Sequence, residues 1–386
     1  MIPYGRQTID EDDISAVVNV LRSDYLTQGP QVPSFESAIA EYCHANYGVA
    51  FNSATSGLHA ACIALGVGPG DIVWTTPITF VATANCARYC GASVDFVDID
   101  PITYNISVER LATKLEDASL KGCLPKVVIP VHFTGMSADM QAIHALSKTY
   151  QFSIIEDASH AIGADYLDDK VGSCRFSDIT IFSFHPVKII TTAEGGMAVT
   201  NSMELAEKMR LFRSHGITRD TTVFVNKDPG PWYYEQHILG FNYRMTEIQA
   251  ALGISQLKKL DAWVTKRHDI ANTYDEKLVN FPLILPKRNQ DSHSSLHLYV
   301  VQVDSSKTSL SRREAFEQLR ANGIGVNVHY IPVHLQPDYS QFNFSVGDFP
   351  DSELYYSRAI SLPIFSSLST EDQNEVIGSL ARIFGQ

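Results

Sequence analysis

The stretch FSFHPVKIITTAEGGMAVT, residues 182–200, holds one lysine, Lys188, between two apolar runs. Lysine is mostly a surface residue, because its charge is costly to bury without a partner. Taken alone, Lys188 reads as an ordinary loop lysine. Its flanks argue otherwise. DITIFSF (178–184) and GMAVT (196–200) are continuous apolar runs of the kind that form strands buried on both faces. Gly195 and Gly196 permit a close backbone approach where the chain returns to a sheet.

Outward from this stretch the pattern repeats. GVAFN (48–52), IVWTT (72–76), SVDFVD (93–98), KVVIPV (126–131) and FSIIED (152–157) read as further strands. Helix-like segments lie between the earlier ones: ISAVVNVLRS after Asp10 and Asp12, PSFESAIAEYCHA opened by Pro33, VERLATKLEDA after Ser107, and MQAIHALSKTY after Asp139. The alternation predicts an α/β fold with a mostly parallel sheet covered by helices. The last three strands have little helix between them, so part of the sheet is expected to be mixed. After residue 215 the texture changes. NKDPGPWYY (226–234) is a turn-rich insertion, and residues 246–278 form a long helical stretch with a break expected near Asp261. Strand LHLYVVQV (296–303), helix SRREAFEQLRANG (311–323), strand GVNVHY (325–330) and a closing helix from Thr370 follow. The expected division is a large α/β domain over 1–245, then a connecting helix and smaller C-terminal α+β domain over 246–386.

The 386 residues are 45% hydrophobic and 19% charged, an ordinary globular composition. A net charge of -13 argues against nucleic-acid binding, which needs a basic face. It leaves room for an anionic small ligand, because local donors can override the global field. No apolar run approaches the roughly 20 residues of a membrane span. The start MIPYGRQTIDEDD lacks a charged-then-apolar signal pattern, so a cytoplasmic protein without a membrane partner is expected. The six cysteines are scattered without zinc-ligand spacing, so reduced thiols and no metal are expected. Asn105-Ile106-Ser107 matches a glycosylation sequon, which means little without secretion.

FNSATSGLHAACIAL (51–65) reads as strand, polar turn and helix. Free N–H groups, the helix dipole and the hydroxyls of Ser53, Thr55 and Ser56 make that helix start a phosphate site. The same residues also suit a plain N-cap. IIEDASHAIGADY (154–166) brings Glu156, Asp157 and His160 to the C-terminal end of a buried strand. Open α/β sheets bind ligands at that edge, although a helix cap is an equal alternative there. Lys188 follows, with Ser183 before it. A lysine, an acid and a phosphate cup are what pyridoxal phosphate requires: an amine for the Schiff base, a carboxylate facing the pyridinium nitrogen, and donors for the phosphate. Phe80 could lie on the ring or simply pack in the core. The nearest approach to a dinucleotide fingerprint, GVGPGD (66–71), follows a helix and precedes a strand, so it reads as a turn and argues against a nicotinamide dehydrogenase.

NSATSGLHAA, TTPITFVATAN, EDASHAIGA, FSFHPVKIITTAEGGM, LFRSHGI and FNYRMTEIQAALG run through nearly the whole chain in this order. Together they resemble the pyridoxal-phosphate-dependent sugar aminotransferases of the DegT type, which have the fold type I (aspartate aminotransferase-like) architecture. Within that family, the lysine stretch with PYGRQTIDEDDI, YLTQGP and VNVHYIPVH most resembles the UDP-4-amino-4,6-dideoxy-N-acetyl-β-L-altrosamine transaminases of pseudaminic acid synthesis.

The resemblance implies the following roles. Lys188 holds the cofactor and shuttles the proton, Asp157 faces the ring nitrogen, His160 approaches the phenolic oxygen, and Phe80 stacks on the ring. Ala54, Thr55, Ser56 and Ser183 surround the phosphate. Asn242 reaches the phosphate of a neighbouring subunit, so a homodimer with shared sites is implied. Tyr4, Asp24, Tyr25, Leu26 and Thr27, with Asn327, Val328, His329 and Tyr330, match substrate-contacting segments. Arg213, Arg219 and Arg244 are left as diphosphate or structural cations. The implied reaction moves the amino group of L-glutamate, which leaves as 2-oxoglutarate, to C4 of a UDP-linked 4-keto-6-deoxy-N-acetylhexosamine. Relatives that dehydrate sugars carry histidine at the lysine position, so Lys188 favours amino transfer. Two alternatives stay open: a C3 or C4 aminotransferase of another nucleotide sugar, and a noncatalytic binder of the same ligands.

Overall fold

The computed structural model describes residues 1–226 and 230–385; part of the turn-rich insertion expected at 226–234 lies outside them. Its helices start where the sequence places short polar side chains. Asp10 caps α1 (Glu11–Leu21) in a capping box with Asp13. Helix α2 spans Gln31–Tyr42, so Pro33 sits inside its first turn instead of opening it, a place where the missing N–H is harmless. Ser53 caps α3 (Ala54–Ala64), and α4 (Val81–Tyr89) follows Phe80 without a side-chain cap. Ser107, Asp139 and Ser202 cap α5 (Val108–Lys121), α6 (Met140–Tyr150) and α7 (Met203–Arg213).

Seven strands form the central sheet: β1 (Tyr47–Phe51), β2 (Ile72–Thr75), β3 (Ser93–Phe96), β4 (Val127–Val128), β5 (Ser153–Asp157), β6 (Ile179–Ser183) and β7 (Gly196–Thr200). Their order is β1-β7-β6-β5-β4-β2-β3, and only β7 runs against the rest. The continuous apolar runs have a direct cause. Successive side chains point to opposite faces, and each face meets its own apolar core. Ile154 and Phe182 join the core with Phe35 and Ile39 of α2, while Ile155 and Ile181 join the one with Leu58 of α3.

The expected long helix is two helices, α8 (Glu247–Leu257) and α9 (Leu260–Leu278). The break falls at Lys258-Lys259, just before Asp261. There the Lys259 ammonium reaches Asp10 and Asp13 at the start of α1, at 2.5 and 3.0 Å. Beyond α9, β8 (Leu283–Ile284), β9 (Tyr299–Val303) and β10 (Ala359–Leu362) form an antiparallel sheet. With α9, α10 (Arg312–Ala321) and α11 (Thr370–Phe384) it encloses a separate apolar cluster. GVNVHY is not a strand: only an isolated bridge joins Asn327 to Ser361. The Asn327 side chain accepts the next residue's N–H at 2.8 Å, and such local bonds compete with a ladder.

Candidate active site

The carboxyl ends of β1, β5 and β6 open onto one cavity of about 890 Å³. At β1 the chain turns through Asn52 and Ser53 into α3. The Ser53 hydroxyl accepts the Ser56 N–H at 3.2 Å, and the Ser56 hydroxyl donates to Asn52 at 2.6 Å. The cap takes only the Ser56 N–H, so the Ala54 and Thr55 amides face the cavity at the positive end of the helix. Gly196 makes this cup possible. A Cβ there would stand 2.5 Å from the Ala54 nitrogen and 2.6 Å from the Ser53 carbonyl, so only glycine lets β7 pass beneath the turn.

Asp157 ends β5 and is 4% exposed. One carboxylate oxygen accepts from the Thr83 hydroxyl at 2.6 Å and the other from the Ser159 N–H at 3.1 Å. Thr83 lies on α4, so that helix orients the acid. Glu156 faces the opposite way, as strand alternation requires. It is buried against His132 at 2.5 Å, with Thr180 at 3.0 Å and Ser177 also donating to it. The acid-rich end of β5 therefore divides into one cavity carboxylate and one structural carboxylate.

Lys188 sits in the turn after β6, half-buried, its N–H bonded to the His185 carbonyl at 2.8 Å. Burial draws its amine down to about 8, although Asp157 pulls in the other direction. His160 is held well below the ordinary imidazole value by burial and by Lys188 and His329. Its Nε2 pairs with the Tyr330 hydroxyl at 3.1 Å, while its Nδ1 is enclosed without a partner among the described residues. Phe80 stands at the mouth, 59% exposed, its ring 6.3 Å from that of Tyr330.

Tyr4, Asn327, Val328, His329 and Tyr330 line the far side. His329 is anchored by Ser361 at 2.8 Å, and burial and Lys188 draw it down to about 3. Of the expected residues, Lys188, Asp157, His160, Phe80, Ala54, Thr55, Ser56, Ser183, Tyr4 and 327–330 come together here. Asp24, Tyr25, Leu26, Thr27 and Asn242 do not: all are exposed and none lines this cavity, and Tyr25 borders a different hollow between α1 and α8. The three arginines separate. Arg213 bonds Glu36 and the Ala50 carbonyl and is structural, Arg219 is exposed, and Arg244 keeps a buried Nε without a partner among the described residues.

The wall holds residues that the sequence reading passed over. Thr83 follows Thr79 by one helical turn in TTPITFVATAN, a spacing that could have revealed it. His297 sits inside the apolar run LHLYVVQV and carried no such signal. Among the described residues, no group of three or more His, Cys, Asp or Glu side chains is arranged to hold a metal. The donor set instead suits a phosphorylated aldehyde on a ring nitrogen base: an amine lowered by burial, a carboxylate held in place, and a free helix start.

The profile of the DegT/DnrJ/EryC1/StrS aminotransferase family matches residues 7–381. The chain belongs to this family. The UDP-4-amino-4,6-dideoxy-N-acetyl-beta-L-altrosamine transaminase of Campylobacter jejuni serotype O:2 is 38% identical over 387 residues, covering 99% of this chain and 97% of that protein. Helicobacter pylori PseC, an aminotransferase involved in the biosynthesis of pseudaminic acid, superposes with a TM-score of 0.90 at 35% identity, covering 100% and 99% of the two chains. Spr1654 of Streptococcus pneumoniae, solved in PLP and PMP forms, superposes with TM-scores of 0.88 and 0.89 at 28% identity, covering 100% of this chain and 98% and 99% of those. This DegT-family chain is thus a sugar aminotransferase of PLP fold type I, and its cofactor is pyridoxal phosphate. It acts on a sugar-nucleotide substrate with an amino donor. No described helix is long and apolar enough to cross a membrane.

Proposed function

We propose that this aminotransferase moves the amino group of L-glutamate to C4 of a UDP-linked 4-keto-6-deoxy-N-acetylhexosamine. The product would be UDP-4-amino-4,6-dideoxy-N-acetyl-β-L-altrosamine, a step of pseudaminic acid synthesis. The observation that carries the reading is Lys188, drawn down by burial in one cavity with Asp157, His160 and the free start of α3. Likeness to the Campylobacter and Helicobacter enzymes supports the choice of sugar.

When bound, pyridoxal phosphate supplies an electron sink for the carbon that loses its proton. Lys188 would hold the cofactor through its amine and could take up and give back a proton there, a task suited to an amine drawn down to about 8. Asp157 keeps the ring nitrogen protonated, because a neighbouring carboxylate favours the charged form. Thr83 and Ser159 fix its two oxygens for that purpose. His160 would hold the phenolic oxygen and Phe80 would cover the ring. The Ala54 and Thr55 amides with Ser56 and Ser183 receive the phosphate. Tyr4, Asn327, Val328, His329 and Tyr330 hold the sugar.

Asn242 and the 24–27 loop are assigned to the site of a second copy. Their exposure outside this chain's own cavity supports that homodimer. The reading divides the chain at residues 245 and 246, in keeping with the separate apolar cluster of the C-terminal sheet. It also places the enzyme in the cytoplasm, consistent with six unpaired cysteines.

The test is incubation with glutamate and a panel of UDP-4-keto sugars, read by product mass and NMR. Amination at C4 of the UDP-linked 4-keto-6-deoxy-N-acetylhexosamine that gives the altrosamine product is the expected result. Lys188→Ala should abolish it, and turnover in that variant would sink the assignment. Reaction with every sugar except this one would leave an aminotransferase of another nucleotide sugar.

A further inference from the structure

Helix α2 begins without a cap of its own. Its N-cap residue is Pro30, whose side chain offers no acceptor to the free N–H groups of the first turn. The acceptors come from far along the sequence. Glu247, in the first turn of α8 and 0% exposed, takes the Gln31 N–H on one carboxylate oxygen at 2.6 Å and the Val32 N–H on the other at 3.2 Å. The dipole of α2 favours a carboxylate at this place as well. The Glu247 N–H in turn donates to the Leu26 carbonyl at 3.1 Å. One residue therefore grips the 26–32 segment at both ends.

The loop is shaped to that grip. A Cβ at Gly29 would stand 2.5 Å from the Tyr25 Cβ and 2.7 Å from a Glu247 carboxylate oxygen, so only glycine lets the chain pass between them. Nearer α1, the Ser23 hydroxyl donates to the Val20 carbonyl at 2.8 Å and accepts the Tyr25 N–H at 3.3 Å. The backbone is thus held from beneath, while the side chains of Asp24, Tyr25, Leu26 and Thr27 are all exposed. Exposed side chains on a fixed backbone are how a scaffold presents a binding loop. Glu247 also opens the helix that follows the Asn242 loop. Both segments assigned above to the site of a second copy are therefore rooted at the start of α8.

We infer that Glu247 is a positioning residue: its carboxylate, capping α2 across the fold, holds the 24–27 loop in the shape that the sugar-nucleotide site of a second copy receives. The inference rests on the assignment of that loop to a second copy. Two variants of the full-length protein test it. Glu247→Gln keeps the size but has one acceptor for two N–H groups. Gly29→Ala presses on Tyr25 and Glu247 from the exposed side and leaves the capping groups in place. The first readout needs no turnover: amide hydrogen exchange over residues 24–32 should quicken roughly tenfold in Glu247→Gln, with β5 and β6 unchanged. Both variants should raise KM for the sugar nucleotide roughly tenfold and keep kcat within about twofold, the pattern of lost binding without lost chemistry. Heterodimers purified through two different tags then locate the effect. With Glu247→Gln and Lys188→Ala on one copy and a wild-type partner, KM should be raised, because the working lysine relies on the altered loop. With Glu247→Gln on one copy and Lys188→Ala on the other, KM should match the wild type. Unchanged exchange, faster exchange with an unchanged KM, or a raised KM only in the second pairing would each overturn the inference. If the wild type aminates no sugar nucleotide, the proposed function fails, and the exchange comparison still decides whether Glu247 holds the loop.

Discussion

At Lys188 two opposing influences meet. Burial disfavours the ammonium, Asp157 favours it, and burial wins, drawing the amine from 10.5 to about 8. Only the neutral amine can attack an aldehyde, so the onset of cofactor attachment reports this balance. Mixed with pyridoxal phosphate across pH 6 to 10, the apoprotein should bind it covalently at a rate that climbs to a plateau, with a midpoint near 8. A midpoint near 10 would show that burial does not act as argued. The sign for stability follows from the same shift. Between about 8 and 10.5 the unfolded chain holds a proton here that the folded chain has lost. The lysine therefore weakens the apoprotein below pH 8, and that penalty lifts as the pH rises through this window. Denaturant midpoints of the apoprotein and of Lys188→Met should differ most below pH 8 and converge above pH 10.

At the scale of elements, a two-residue period explains why adjacent acids on β5 have different fates. Asp157 meets the cavity, and Glu156 meets the other core. The His132 Nδ1 accepts the Ala138 N–H at 3.1 Å, so its Nε2 carries the proton given to Glu156. Burial pushes the Glu156 carboxyl up, but the donors His132, Ser177 and Thr180 outweigh it and leave it below its ordinary value. Its stabilisation is therefore present above the ordinary carboxyl range and is lost as the pH falls below about 4.5. Glu156→Gln should cost about 1–3 kcal/mol at pH 7 by urea unfolding, shrinking toward pH 4, with kcat unchanged. A fall in kcat at full stability would mean that Glu156 belongs to the site after all. This alternation also marks how far the sequence could be read. The strands, the caps at Asp10, Ser53, Ser107 and Asp139, and the lysine turn follow from local pattern, because propensity and burial agree there. The 325–330 stretch has the pattern of a strand but is not one, because Asn327 and His329 bond their own backbone and Ser361, a tertiary outcome with no periodic trace. His297 stayed hidden for a related reason: inside an apolar run a histidine looks like core, and only the turn at Leu296 aims it into the cavity.

At the scale of the whole molecule, charge and shape leave a mismatch that one chain does not resolve. Cofactor phosphate and a sugar-nucleotide substrate are both anionic, and the protein carries a net charge of -13. Among the described residues lining the cavity, Lys188 is the only lysine or arginine. Amides at the start of α3 answer the phosphate, but the remaining negative charge needs donors from outside this cavity. Exposed Asn242 and the neighbouring Arg244, whose Nε lacks a partner among the described residues, stand on the loop before α8. Tyr25 and Leu26 are 55% and 50% exposed before α2. A second copy that supplied these segments would complete the charge balance and cover the apolar side chains together, as an isologous dimer does. Mixing two inactive variants tests this directly. Lys188→Ala lacks the amine, and Asn242→Ala lacks the donor lent to the partner. If sites are shared, a heterodimer holds one intact site, with its own Lys188 and the other copy's Asn242. Random mixing makes half the dimers mixed, so activity should recover to about a quarter of wild type. If each chain served only itself, no pairing would restore a site, and the mixture would stay at the mean of its parents.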